Sequence, residues 1–229
     1  SSLASPPHRM DELLYTLPCA ESIIENNGFS EVKNIPWSNF PGNHFILFAV
    51  SRAFIPYCGR ALYLLFPIFT LLMLVSLFPQ SKTSVFIVFS IWIITVSGCH
   101  AGSEWILVFF EILSLAIFSG VAGRTGNVTR LILSGLFAGL ALGTKYTAFL
   151  LIIFISCYLV LYSKNIRGLI AFLLPVLIIS GHWYYKSYAM TGNPFYPLFY
   201  EYIPSNAGYL DYAAMIQGEY LKFNGVSGF

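Results

Sequence analysis

Charged residues are scarce in this chain, and their scarcity narrows the class of protein more than any other feature of its composition. Only 10% of the residues are Asp, Glu, Lys or Arg, whereas 57% are hydrophobic and the mean hydropathy is +0.71. A soluble domain of this length carries about 25% charged residues. The composition therefore predicts an integral membrane protein, and the net charge of +2 adds little to that prediction.

Other features are missing as well, and each absence excludes a class or a site. There is no basic stripe and the aromatic residues lie in apolar runs, which excludes a nucleic-acid-binding protein. The four cysteines show no C-x-x-C or Cys/His metal spacing, so we interpret them as small apolar fillers. The chain opens without a starting Met or a signal peptide. We expect it to be a piece of a longer protein that begins after an earlier membrane helix.

What the sequence does contain is a series of apolar runs. A membrane-spanning helix needs roughly 17 to 25 mostly apolar residues. Six runs reach or approach this length, at residues 61–78, 84–99, 103–122, 130–143, 147–162 and 168–185. We therefore predict an all-α, polytopic membrane protein of about six transmembrane helices. Residues 1–60 are predicted to form a first outer loop, residues 61–187 the helix bundle, and residues 188–229 an outer-face loop.

A seventh apolar segment, residues 41–57, contains polar interruptions at Asn43, His44, Ser51 and Arg52. A charge in the middle of a bilayer costs about 2.5–3.5 kcal/mol on insertion scales. We therefore predict that this segment is a helix lying in the interface, with Arg52 at the level of the headgroups. If it crosses the membrane instead, the count of crossings shifts by one.

The loops between the apolar runs predict that orientation. Residues 80–82, 123–130 and 163–167 carry Lys or Arg and no acid, and these loops alternate along the chain as cytoplasmic loops do. Every acid except Glu111 lies in the two polar end segments or, at Glu104, at the start of an apolar run. The opposite, outer face is therefore predicted to hold the first 60 residues, Glu104, Lys145 and the residues after Lys186.

Small residues recur inside the fourth run. Gly135, Gly139 and Gly143 are spaced four apart, so they share one face of a helix. Such a face lets another helix backbone approach closely. Packing is the more frequent role of this pattern, and we predict a tight helix contact rather than a site.

Adjacent acids, Asp11 and Glu12, form the first candidate site, with Tyr15 close behind them. Adjacent carboxylates outside a membrane are more often solvated surface. Here two amphipathic segments follow, at residues 19–27 and 37–57, and are expected to lie on the bilayer. A carboxylate beneath such helices is partly desolvated, which makes it a better base near neutral pH.

A turn at residues 98–104 forms the second candidate site and contains His100 and Glu104. Glu104 begins the next helix, where the helix dipole favours an acid. Helix capping is an equally good reading of this pattern. Glu111 lies seven residues further on the same face, where it either bonds to a neighbouring helix or faces water.

Two lysines are the candidate cations. Lys145 ends the segment 139–145 at the junction of two short helices, together with Thr144 and Thr147. An interfacial lysine usually extends to the headgroups, and the functional alternative is to bind a lipid-linked phosphate. Lys186 lies in the aromatic segment 184–197, which is typical of a membrane anchor and also suits carbohydrate stacking.

With these residues in view, the chain resembles the polytopic glycosyltransferases that use polyprenyl-phosphate sugars, the GT-C superfamily. That family includes the protein O-mannosyltransferases and the aminoarabinose transferases of lipid A. The match covers most of this chain and the amino-terminal half or less of a typical member. It depends on Asp11-Glu12-x-x-Tyr15, Asn39-Phe40-Pro41, Glu104, the Gly-rich run 139–145 and the Gly-Asn-Pro-Phe-Tyr-Pro run 192–197. The chain departs from relatives at Leu13 and Leu14 and at Thr16. It also departs from them at Gly42, Asn43 and His44, and only in this last segment are the relatives more apolar.

The resemblance implies a glycosyltransferase that inverts the sugar's anomeric carbon at the outer face of the membrane. Its donor is a polyprenyl-phosphate sugar, its acceptor a glycan, lipid or protein hydroxyl, and its location the bacterial inner membrane with a periplasmic active site. Asp11 is the implied general base, while Glu12 and Glu104 position hydroxyl groups or hold a divalent metal. No cofactor is certain. The implied phosphate-binding residues are Lys145, Arg52 and Lys186, and the implied substrate-binding residues are Tyr15, His100 and Asn193.

A different class stays open on the residues alone. A transporter or lipid-handling protein without covalent chemistry also suits Glu111 and Lys145. Such folds usually contain paired broken helices in two matching halves, and this sequence has no such pair. A non-catalytic membrane scaffold is the third reading.

Overall fold

The computed structural model describes residues 12–29, 32, 35–54, 63, 65–81, 83, 103–120, 127–199, 201–203, 205–206 and 209. Within these ranges every regular element is helical, so the all-α prediction is confirmed. The α-helices within the described residues are α1 (Leu17–Glu25), α2 (Asn43–Phe54), α3 (Leu65–Leu77), α4 (Glu104–Ser119), α5 (Val128–Leu142), α6 (Phe149–Cys157) and α7 (Ile166–Thr191). Short turns extend them: π-helical turns at Glu12–Thr16 and Tyr158–Tyr162, and 3-10 turns at Pro36–Asn39, Pro79–Ser81 and Tyr146–Ala148.

Five of the six predicted spans correspond to helices in this arrangement, and the sixth, residues 84–99, lies outside the described residues. The segment predicted to lie in the interface forms α2, preceded by the 3-10 turn. The last helix is longer than its apolar run. It begins where Asn165 Oδ1 accepts a hydrogen bond from the Gly168 amide at 2.8 Å. It ends where Gly192 adopts φ 81°, a left-handed conformation that terminates helices.

Among the described helices, α7 is long and apolar enough to cross a membrane, judged by length and composition. It has 26 residues, and 28% of its apolar window is buried. Leu65–Leu77, Val128–Leu142 and Tyr146–Tyr162 are apolar but shorter. The number of membrane crossings therefore stays a prediction.

The predicted glycine face makes a close helix contact. A Cβ atom on Gly135 would overlap the carbonyl oxygen of Phe172, and one on Gly139 would lie 3.0 Å from the Cα of Val176. Both neighbours belong to α7, so the backbones of α5 and α7 are in direct contact. The prediction of tight packing is confirmed.

On its other side, α5 packs against α4 through two buried serines. Ser114 Oγ donates to the Ser134 carbonyl at 2.9 Å, and Ser134 Oγ donates to the Ser114 carbonyl at 3.0 Å. Both side chains are fully buried. Helices α4, α5 and α7 thus form a layer whose central member, α5, is held on both faces.

The two amino-terminal helices pack on one end of this layer. Ala20 of α1 and Phe48 of α2 form an apolar cluster with Ile106 in the first turn of α4. Arg52, in the last turn of α2, pairs with Glu21 of α1 at 3.4 Å. These contacts place α1 and α2 over the start of α4, where the candidate site lies.

Candidate functional site

A pocket of about 220 Å³ lies where the first turns of α2 and α4 meet the end of α5. Its wall carries both polar groups and aromatic rings. It is lined by Tyr15, Trp37, Phe40, Pro41, His44, Phe45, Ser103, Glu104, Thr144, Lys145 and Tyr146. Tyr15, Glu104 and Lys145, predicted from separate motifs, are therefore brought together here.

An ion pair forms the polar part of the wall. Lys145 Nζ donates to Glu104 Oε1 at 3.0 Å, and the two side chains are 44% and 39% exposed. Because both groups remain in contact with water, the pair contributes about 0–1 kcal/mol to stability. A pair this weak can open when a ligand offers Lys145 a better partner.

The local fold explains why these two groups meet. Helix α5 ends at Leu142, and Thr144 Oγ1 then donates to the Leu140 carbonyl at 2.8 Å. Lys145 follows in an extended conformation, with φ −157° and ψ 143°, so its side chain leaves the helix direction. Glu104 lies in the first turn of α4, where the helix dipole stabilises a carboxylate.

Aromatic side chains form another part of the wall. Tyr15 stacks on Trp37 with ring centroids 6.1 Å apart and planes inclined by 20°. Phe40 lies 6.0 Å from Tyr146. A pocket with an apolar wall and a few convergent polar groups is the usual form of a small-ligand site.

His44 also lines the pocket, and the sequence marked it as a polar interruption without assigning it to the site. It is 5% exposed, and its Nδ1 is enclosed without a hydrogen-bond partner. Burial lowers the pKa of His44 to about 3; the charge of Glu104 raises it and that of Lys145 lowers it. The imidazole is therefore neutral at physiological pH. A lone histidine in the first turn of an apolar helix was the signal available in the sequence.

The predicted adjacent acids lie at the edge of the described part of the chain. Asp11 and His100 lie outside the described residues. Glu12 begins the π-helical turn that ends at Thr16 and carries Tyr15 to the pocket wall. The segment that follows the predicted base therefore passes the pocket.

The other predicted binding residues occupy different positions. Lys186 Nζ donates to the Ser38 carbonyl at 2.6 Å and lies 5.4 Å from the ring centre of Trp183. Arg52 pairs with Glu21, as described above. Asn193 is fully buried and organises the turn after α7, because its Oδ1 accepts from the Phe195 amide at 2.9 Å. Arg52, Lys186 and Asn193 do not line this pocket.

Lys186 nevertheless bears on the pocket indirectly. Its bond to Ser38 holds the 3-10 turn Pro36–Asn39, which also carries Trp37. Lys186 thereby fixes one of the two stacked rings of the wall.

No group of three or more His, Cys, Asp or Glu residues in the described part of the chain is arranged to hold a metal ion. The divalent metal stays a prediction.

Comparison of the chain with protein-family models, with curated proteins and with solved structures finds no match. The resemblance to the polyprenyl-phosphate glycosyltransferases therefore stays a prediction carried by the motifs. The chemistry open to the site follows from its own residues: a lysine for an anion, a carboxylate, a neutral imidazole and an aromatic wall.

Proposed function

We propose that this chain belongs to a polytopic membrane glycosyltransferase, which moves a sugar from a polyprenyl-phosphate donor to an acceptor hydroxyl. The observation that best supports the proposal is the pairing of Lys145 with an aromatic wall in one pocket. Pockets for drug-sized ligands measure about 300–1,000 Å³, so a pocket of about 220 Å³ suits one sugar ring. The ring packs against Tyr15 and Trp37, and the phosphate lies against Lys145.

Exposed apolar side chains support the membrane setting of the proposal. Leu177 and Ile178 of α7 are 65% and 67% exposed, and Leu150 of α6 is 73% exposed. Water disfavours such a surface, whereas hydrocarbon does not. Arg130 and Arg167 lie in the first turns of α5 and α7. Since α5 runs from Arg130 to the pocket, these cations mark the opposite, cytoplasmic face under the positive-inside rule.

The reaction balances with groups from this face. The acceptor oxygen attacks the anomeric carbon while the bond from that carbon to the phosphate oxygen breaks, which inverts the configuration. Asp11 receives the acceptor's proton, and the polyprenyl phosphate leaves with the bonding electrons. Lys145 stabilises the negative charge that develops on the departing phosphate. Its ammonium has three N–H donors, so it can bind the phosphate and Glu104 together.

Turnover of labelled polyprenyl-phosphate sugars by membranes that contain the full-length protein tests the proposal. We expect the wild type to transfer label, Asp11→Asn to abolish transfer, and Lys145→Ala to lower kcat about 10²- to 10³-fold, as for the loss of one oxyanion-stabilising donor. The matched control is Arg167→Gln, an exposed cation at the far end of α7, which should keep wild-type turnover. If the correctly inserted wild type consumes no donor, the proposal is wrong and a transporter becomes the better reading.

A further inference from the structure

His44 has hydrogen-bonding capacity that the protein leaves unused. Its side chain lines the pocket and makes no hydrogen bond with any described residue. Buried polar side chains in native proteins are nearly always hydrogen-bonded. An unpaired imidazole on a pocket wall therefore points to a partner that arrives with a ligand.

The backbone of His44 is held by other groups, so its ring is not needed to anchor α2. Tyr63 donates a hydrogen bond to the His44 carbonyl. The preceding residue, Asn43, donates its side-chain amide to the Leu140 carbonyl at 2.9 Å and accepts from Trp183 Nε1 at 2.8 Å. The imidazole consequently stands on a fixed base at the pocket wall, which is the requirement for a preorganised ligand contact.

The ring nitrogens of His44 differ in access. Nδ1 is enclosed, whereas Nε2 is not among the enclosed unpaired atoms, so Nε2 is the nitrogen that a ligand can reach. Orphaned buried N–H groups are rarer than orphaned acceptors, which places the proton of the neutral ring on Nε2. The charged and titratable groups around the pocket are Tyr15, Glu104, Lys145 and Tyr146.

A neutral N–H donor suits a neutral partner. The phosphate of a lipid-linked sugar finds its cation at Lys145, and the remaining polar groups of such a donor are sugar hydroxyls. The His44 ring lies 6.5 Å from the ring of Tyr15, one of the aromatic rings that line the pocket. A sugar stacked on Tyr15 and Trp37 presents its hydroxyls to the imidazole edge.

We infer that His44 is a sugar-binding residue whose Nε2–H donates a hydrogen bond to a hydroxyl of the donor's sugar ring. This inference rests on the proposed function and orients the donor, with its sugar towards α2 and its phosphate towards the end of α5.

The test measures the affinity of the full-length protein in detergent for a set of ligands. The set distinguishes the contribution of the donor's sugar from that of its phosphate. One probe, farnesyl phosphate, carries no sugar. The others are mannose, arabinose and N-acetylglucosamine, each linked to farnesyl phosphate. His44→Asn tests the contact, because an asparagine amide reaches only the position of Nδ1. His44→Gln is the matched rescue, because its longer side chain carries an N–H to the position of Nε2.

We expect His44→Asn to weaken binding of the preferred sugar-bearing probe about five- to tenfold, the value of one hydrogen bond, and to leave farnesyl phosphate unchanged. His44→Gln should stay within about twofold of the wild type, and Lys145→Ala should weaken every probe. The ratio of wild-type to His44→Asn affinity should be constant between about pH 6 and pH 8, because the ring is neutral throughout.

Three outcomes would overturn the inference. If His44→Asn binds the sugar-bearing probe as tightly as the wild type does, or loses affinity equally for farnesyl phosphate, the sugar contact is refuted. The proposed function is not affected by either result. A wild type that binds none of the probes would remove the proposed function and this contact together. If His44→Asn does not fold, modification of wild-type His44 by diethyl pyrocarbonate replaces it: the sugar-bearing probe should slow modification more than farnesyl phosphate does, and equal rates would refute the contact.

Discussion

Replacing Asn43 by leucine should destabilise the protein more than any other single polar substitution at the start of α2. The Asn43 side chain donates to the Leu140 carbonyl at 2.9 Å and accepts from Trp183 Nε1 at 2.8 Å. It thereby joins α2 to α5 and α7 at one point. Leucine has a similar shape and can form neither bond, so the variant isolates the hydrogen bonds from the packing.

The two lost bonds differ in consequence. The Leu140 carbonyl also accepts from Thr144 Oγ1 at 2.8 Å, so it keeps a partner in the variant. Loss of the bond from Asn43 to this carbonyl therefore costs about 0.5–1 kcal/mol. Trp183 is 1% exposed, and its indole N–H would be left buried without a partner, at about 1–3 kcal/mol. We therefore expect Asn43→Leu to lower the free energy of unfolding by about 1.5–4 kcal/mol.

Equilibrium unfolding in mixed detergent micelles measures this loss. Thr129→Leu, at an exposed position in the first turn of α5, is the matched control and should stay within about 0.5 kcal/mol of the wild type. In Trp183→Phe the indole donor is absent, so adding Asn43→Leu to it should cost about 1–3 kcal/mol less than in the wild type. A change in Asn43→Leu below about 0.5 kcal/mol, or strict additivity in this cycle, would refute the reasoning.

Three further predictions concern the packing and the cysteines. Gly135→Ala should lower stability by about 1–3 kcal/mol because its Cβ overlaps the Phe172 carbonyl, whereas Gly181→Ala, with nothing within 4 Å of its Cβ, should be neutral or stabilising in the same unfolding assay. Ser114→Ala should cost about 1 kcal/mol, since it removes one of the two reciprocal bonds between α4 and α5; no loss would exclude a structural role for that bond. Burial raises the pKa of Cys19 to about 12, so at pH 8 its thiol is protonated and should resist N-ethylmaleimide in the folded protein, while exposed Cys157 reacts. Mass spectrometry of the two peptides reads this difference, and equal labelling would contradict it.

The positions of the helices could be read from the sequence because the signals for them are local. Apolar runs predicted α5 and α6 to within a few residues, and the Asn127 and Asn165 side chains cap α5 and α7. The end of α7 could not be read in this way. Its last turns include polar residues that lie beyond the apolar run, and Thr191 Oγ1 donates to the Ser187 carbonyl at 2.8 Å. An apolar run marks only the part of a helix that is apolar.

The candidate site was predictable residue by residue but not as an arrangement. Glu104 and Lys145 were each singled out by position at a helix end, and Tyr15 by its distance from the adjacent acids. Whether they meet in one pocket depends on how α4 packs against α5, because the two charges are 41 positions apart in the sequence. The role of His44 was missed, because a histidine in an apolar segment has the same appearance whether or not a neighbour satisfies it.

Composition and periodicity by themselves determined the all-helical class, the location of most helices and the glycine face of α5. These properties depend on hydrophobic burial and backbone geometry, which act over a few residues and leave a pattern in the sequence. The tertiary structure alone decided which polar groups meet: Lys145 with Glu104, Asn43 with Trp183, and His44 with no partner. Hydrogen bonds and ion pairs form over about 3–4 Å between distant parts of the chain, so their partners appear only once the helices have packed.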